Sequence, residues 1–146
     1  MLRKLSRLGE LSSAEWLLLP QLVLLALGLR LLIRIVPLPR LTGALARGAQ
    51  DHRLRRLPLH HRRCDPSRLA VLADLAARVA RPQGRCLTRS LLLFFLLKAR
   101  DEAVELRVGI TREAAALQGH AWIEKRGTVF ADSPQLTGRF ATLLKL

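Results

Sequence analysis

Tyrosine is missing from this 146-residue sequence, and phenylalanine and tryptophan number only four and two. A core at this length must be built from aliphatic side chains, and half of all residues are hydrophobic, which is enough to build one. Acidic residues are few, 11 against 25 lysines and arginines, for a formal charge of +14. Residues 1–63 carry 12 basic and 3 acidic side chains, a net +9, and residues 64–146 carry 13 and 8, a net +5. That surplus suits nucleic acid, an anionic membrane or an acidic peptide. Nucleic acid is the weakest fit and is not an expected partner, because no zinc-finger spacing and no basic run interleaved with aromatics occurs. Cysteine is limited to Cys64 and Cys86. Two cysteines are not a disulfide framework, and a free thiol at Cys86 suits a reducing cytoplasm. There is no CxxC pair and no His/Cys cluster with metal-ligand spacing, so neither a metal nor a cofactor is expected. His60-His61 lies in an arginine-rich stretch and is better read as part of it than as a ligand pair.

Long uninterrupted hydrophobic runs are also lacking. Leu17 to Leu29 carries no charge, but Pro20 and Gln21 break its pattern and Arg30 and Arg34 end it, short of the roughly 20 residues a spanning helix needs. Glu10 and Glu15 spoil the basic start of a signal peptide. Residues 16–38 therefore read as an amphipathic or buried helix docked on the domain or on a partner. The alternative is a peripheral helix at the inner face of a membrane, its flanking arginines meeting anionic lipid. Pro37, Pro39, Gly43, Gly48 and Pro58, with the basic run Arg53 to Arg63, make residues 37–63 an expected linker or irregular basic arm. The length suits one domain or one with an appendage: residues 1–63 as apolar helix and basic linker, residues 64–146 as the domain.

What remains is helices followed by strands, an α+β pattern. Asp65-Pro66 is a helix start, with Asp as N-cap and Pro at the first helical position. Leu69, Leu72, Ala73, Ala76, Val79 and Ala80 follow at helical spacing, and the helix should end at Arg81-Pro82. After the break Pro82-Gln83-Gly84, a second helix runs from about Cys86 to Arg100. It is apolar on every side over Leu91 to Leu97, so it should cross the domain centre. Val104, Leu106, Val108 and Ile110 then alternate with polar residues or glycine as a strand. Residues 111–118 read as a loop, His120 to Glu124 and Thr128 to Asp132 as strands joined at Gly127, and Leu136 to Leu146 as a short strand or helix.

Cys86 at a helix N-terminus is the first candidate for chemistry. Unpaired N–H groups and a partial positive charge favour a thiolate there. The bland alternative is a small buried side chain. A hairpin symmetric about Arg126 puts His120 opposite Asp132 and Trp122 opposite Phe130, with facing Cβ atoms about 5 Å apart. A two-residue turn would move that pairing by one residue. His120 alone is more often a satisfied polar group, and Asp132 alone a turn residue before Ser133-Pro134. Together, in the order Cys, His, Asp, they fit a nucleophile, a base and the acid that orients it. Trp122 shares a face with His120. It either packs on the central helix or shields the thiolate–imidazole pair.

Cys86-Leu-Thr-Arg-Ser90 before a leucine-rich helix, Gly119-His-Ala-Trp-Ile-Glu124 and Phe130-Ala-Asp132 resemble the motifs of the leader peptidases of lasso peptide biosynthesis, over about residues 65–146. The resemblance implies a transglutaminase-like, papain-related α+β core, a central buried helix packed on a small antiparallel sheet, with N-terminal helices. It implies Cys86 as nucleophile, His120 as base and Asp132 as orienting acid. It further implies a precursor peptide as substrate, a separate leader-recognition protein, and an asparagine-synthetase-like, ATP-using cyclase as partners in the cytoplasm. Residues 1–63 lack the strand-rich pattern of a fused recognition domain. A transglutaminase-like acyl transferase and a non-catalytic peptide-binding scaffold remain the competing readings.

Overall fold

A computed structural model describes residues 12–80, 85–113 and 116–146. The first helix, α1 (Ser13–Ile35), starts at a capping box: the Glu15 N–H donates to Ser12 Oγ, and the Ser12 N–H donates to Glu15 Oε2. The helix continues through Pro20 and past Arg30. Arg30 does not end it, because its guanidinium turns inward and donates to the Ala80 carbonyl at 2.7 Å. Leu18, Leu22, Ala26 and Leu29, one stripe at spacings of three and four, are its buried side.

Residues 37–63 are not an irregular arm. They include a second helix, α2 (Leu38–Gln50), followed by 3-10 turns at Leu54–Arg56 and His61–Arg63. Pro37 and Pro39 mark its start, where a missing N–H does no harm. Leu41, Leu45 and Ala49 give it an apolar stripe that the local density of Pro, Gly and Arg hides. His61 is buried, with Nδ1 2.7 Å from the Pro58 carbonyl, while His60 is exposed, so the two imidazoles do not face a common site.

α3 (Pro66–Ala80) begins as expected, the Asp65 carboxylate accepting from the Ser67 N–H. The expected helix end and break at 81–84, and Gln83 with them, lie outside the described residues. The central helix, α4 (Cys86–Lys98), is buried along almost its whole length and touches α1, α2, α3 and the sheet. Each fully buried leucine here contributes about 1.5–3 kcal/mol.

The sheet is antiparallel, with order β3-β2-β1-β4. Its strands are β1 (Val104–Glu113), β2 (Ala116–Lys125), β3 (Thr128–Phe130) and β4 (Ala141–Lys145), and a short α5 (Pro134–Thr137) precedes β4. Val104, Leu106 and Ile123 face the helices and belong to the same hydrophobic cluster as Leu18, Leu22, Leu69 and Leu92. The architecture is therefore α+β, and helix α4 packed on a small antiparallel sheet is its centre.

Two boundaries differ from the sequence reading. Residues 111–113 and 116–118, read as loop, continue the β1–β2 ladder through Thr111↔Gln118 and Glu113↔Ala116. The backbone pairing continues there although the alternation of apolar residues has stopped. The β2–β3 hairpin closes on a two-residue turn, Arg126 at φ 51 and Gly127 at φ 78, which fits the right-handed strand twist. The register is Ile123↔Phe130 rather than Trp122↔Phe130. β3 then ends because Ala131 adopts φ 59, leaving Asp132 beyond the strand.

Candidate active site

The first turn of α4 meets the middle of β2. Ser90 Oγ donates to the Ala121 carbonyl at 2.9 Å and pins the helix to the strand. That contact sets Cys86, the first residue of α4, beside His120. The two side chains act on each other's ionisation: the imidazole lowers the thiol, as do the backbone N–H groups of Ala121 and Leu87, and the thiol raises the imidazole. His120 Nε2 lies 2.9 Å from Asp132 Oδ2, which leaves Nδ1 for the sulfur. The structure thus brings Cys86, His120 and Asp132 together. It does so without placing His120 and Asp132 as a facing pair: Ala131 bends the chain after β3, and the carboxylate reaches the imidazole from the loop.

The charges in this group support one another. Burial pushes the Cys86 thiol up, but the His120 hydrogen bond, the Ala121 N–H, the His120 charge and the Leu87 N–H outweigh it, and the thiol ends below its ordinary range. His120 is raised to about 9, by its hydrogen bond to Asp132 first and then by the one to Cys86. Burial opposes ionisation of Asp132, but the His120 hydrogen bond and the Arg89 guanidinium hold it below its usual value. Both shifts run towards charge separation between Cys86 and His120, with the Asp132 carboxylate behind the imidazole.

Arg89 is one site residue that sequence reasoning missed. It stands one turn along α4 from Cys86, and its Nη2 lies 2.5 Å from the same Asp132 Oδ2 that takes His120. Its Nε is buried with no partner among the described residues. The signal was present, since positions i and i+3 share a helix face, but nothing local marked Arg89 as turned inward in a chain with 21 arginines.

An aromatic wall completes the site. Trp122 stacks on His120, with centroids 6.0 Å apart and planes 17° apart, and Phe140 lies 5.1 Å from His120. Trp122 joins this wall rather than the cluster around α4. Its Nε1 donates to Glu124 Oε1, and Glu124 is paired with Arg107 on β1. Gly109 lies beneath: a Cβ there would come within 2.9 Å of the Ala141 carbonyl oxygen and of Phe140 Cβ, and 3.0 Å of the Trp122 ring. Phe140 had no local signal, because only the β1–β4 pairing carries it to the site.

Cys64 is held elsewhere, its sulfur 3.9 Å from Glu15 Oε1 between α1 and α3. Among the described residues, no three His, Cys, Asp or Glu side chains are arranged to hold a metal ion.

A family model described as the transglutaminase-like superfamily matches residues 23–145. No curated protein and no solved structure matches the chain. The match runs from within α1 to the end of β4 and takes in Cys86, His120 and Asp132. The chain belongs to the transglutaminase-like superfamily, which includes cysteine peptidases and acyltransferases.

Proposed function

We propose that this chain is a cysteine peptidase that removes the leader from a ribosomally made lasso precursor, with Cys86 as nucleophile, His120 as base and acid, and Asp132 as its orienting carboxylate. The observation that carries the reading is the polarised group Cys86–His120–Asp132, in which the thiol is lowered and the imidazole raised. The motifs Cys86-Leu-Thr-Arg-Ser90 and His120-Ala-Trp-Ile-Glu124 point from that general chemistry to leader removal.

The steps follow from the charges. The Cys86 thiolate attacks the carbonyl carbon at the leader–core junction. The Cys86 N–H, at the open end of α4, is a donor for the oxyanion that forms. His120 gives its proton to the leaving amine, and the leader–core bond breaks, leaving a thioester on Cys86. His120 then takes a proton from water, which attacks the thioester and frees the thiol. An amine in place of that water would make the same site an acyl transferase.

In this reading residues 64–146 carry the chemistry. A separate recognition protein delivers the precursor, and an asparagine-synthetase-like cyclase takes the product. The work is done in the cytoplasm, where thiols stay reduced. The test is to incubate the chain with a lasso precursor and its recognition protein and follow leader release by mass spectrometry. Cys86→Ala should abolish release and Cys64→Ala should not. Equal activity of the two variants would sink the proposal, and release as an amine adduct rather than a free acid would favour acyl transfer.

A further inference from the structure

α1 is apolar on every side but packs on only one. Leu18, Leu22, Ala26 and Leu29 lie in the core. On the opposite side Trp16, Leu17, Leu24, Leu27, Leu31 and Ile35 follow one another along the helix, with Leu24 69%, Leu31 60% and Ile35 78% exposed. At 3.6 residues per turn these six share one stripe, about 28 Å long.

The surroundings of the stripe are cationic. From Trp16 to Gln50 the sequence holds exposed Arg34, Arg40 and Arg47 and not one carboxylate, while Arg30 is turned inward onto the Ala80 carbonyl. Glu15, just ahead, is buried and paired with Arg68 at 2.7 Å. The loop after α2 reaches α1 where the Leu59 N–H donates to Gln21 Oε1 at 2.8 Å. It adds exposed Leu57 and Leu59 and exposed Arg53, Arg56 and Arg63.

We propose that this face docks on an anionic lipid surface. α1 lies in the plane of the interface, its outer stripe enters the acyl boundary, and the arginines meet the phosphate head groups. A lipid surface fits better than a protein groove because the stripe is convex and continuous, and the charged group at its edge, exposed Arg34, is a cation suited to phosphate. α1 is long and apolar enough to cross a membrane. Spanning, however, would pull Leu18, Leu22, Ala26 and Leu29 out of the core, whereas lying flat uses only what is already exposed. The inference does not rest on the peptidase reading.

The experiment is flotation of the full chain with phosphatidylcholine vesicles, with and without phosphatidylglycerol. Most of the protein should float with the anionic vesicles, and raising the salt should release it. Trp16 emission should shift to the blue, while Trp122, already buried, should contribute little. The double variant Leu24→Glu/Leu31→Glu should stay at the bottom of the gradient with an unchanged circular dichroism spectrum. If that variant does not fold, Ile35→Ser should give a partial loss. Failure of the wild type to float on anionic vesicles at low salt overturns the proposal, as does equal flotation of the variants. A concentration-dependent dimer without flotation assigns the face to a second copy instead. Because the readout is binding, its failure leaves the cleavage assay untouched.

Discussion

Cys64 and Cys86 are both half-buried free thiols, yet their surroundings push them in opposite directions. Burial and the neighbouring Glu15 carboxylate raise Cys64, whereas donors from His120, Ala121 and Leu87 lower Cys86 against its burial. Iodoacetamide should therefore modify Cys86 first near neutral pH, and the gap should narrow as pH climbs through the ordinary thiol range of about 8.5. Peptide mapping of the alkylated chain reads this directly, and preferential labelling of Cys64 would contradict it. The same charges fix the sign of the pH profile. His120 is raised, so its imidazolium is fully present at neutral pH and lost as pH rises through about 9. Cleavage should rise as the thiol ionises and fall on the alkaline side near that value, with both limbs belonging to the coupled pair. Arg89 completes the residue-scale account. Asp132 Oδ2 serves two cations, and removing one leaves a part-buried, half-compensated carboxylate. Arg89→Met should cost on the order of 3 kcal/mol, measured as a lower urea midpoint, with part recovered in Arg89→Lys.

Secondary-structure elements were legible where burial followed a period and illegible where it did not. The alternation in β1 and the Asp65-Pro66 start of α3 could be read from single residues. The extension of β1 and β2 to Glu113 and Ala116 could not, because backbone pairing carries no side-chain signature. The hairpin shows how far a single turn decides a register. With Arg126 and Gly127 both at positive φ, the pairing moves by one residue, and the contact between His120 and Asp132 depends on the bend at Ala131 instead. Gly109 carries the main element-scale prediction. A methyl group there collides with the Ala141 backbone and crowds Phe140 and Trp122, the wall against His120. Gly109→Ala should destabilise the chain by about 1–3 kcal/mol and reduce cleavage more than its stability loss explains. Thermal melts and cleavage rates on the same preparation would separate the two, and a fully active, fully stable variant would rule the wall out as a positioning device.

At the scale of the molecule, one hydrophobic cluster joins α1 and α2 to α3, α4 and the sheet. Leu22→Ala should therefore cost about 2–5 kcal/mol in a denaturant titration. Leu24→Ala, two positions on and 69% exposed, should change stability by no more than about 0.5 kcal/mol. Equal losses from both would mean that α1 is buried on both sides. Composition alone could not separate these two leucines, since α1 is apolar all round and its period does not name the inner face. The sequence by itself determined the mixture of helices and strands, the position of Cys86 at a helix start, and the strand that presents His120. These are local matters of capping, period and breaker residues. Tertiary structure decided which side of α1 is covered, that Arg89 turns towards Asp132, and that Phe140 and Gly109 meet beside the imidazole. Each of those depends on contacts between distant segments, and a contact of that kind forms only when the faces of two elements are fixed against each other.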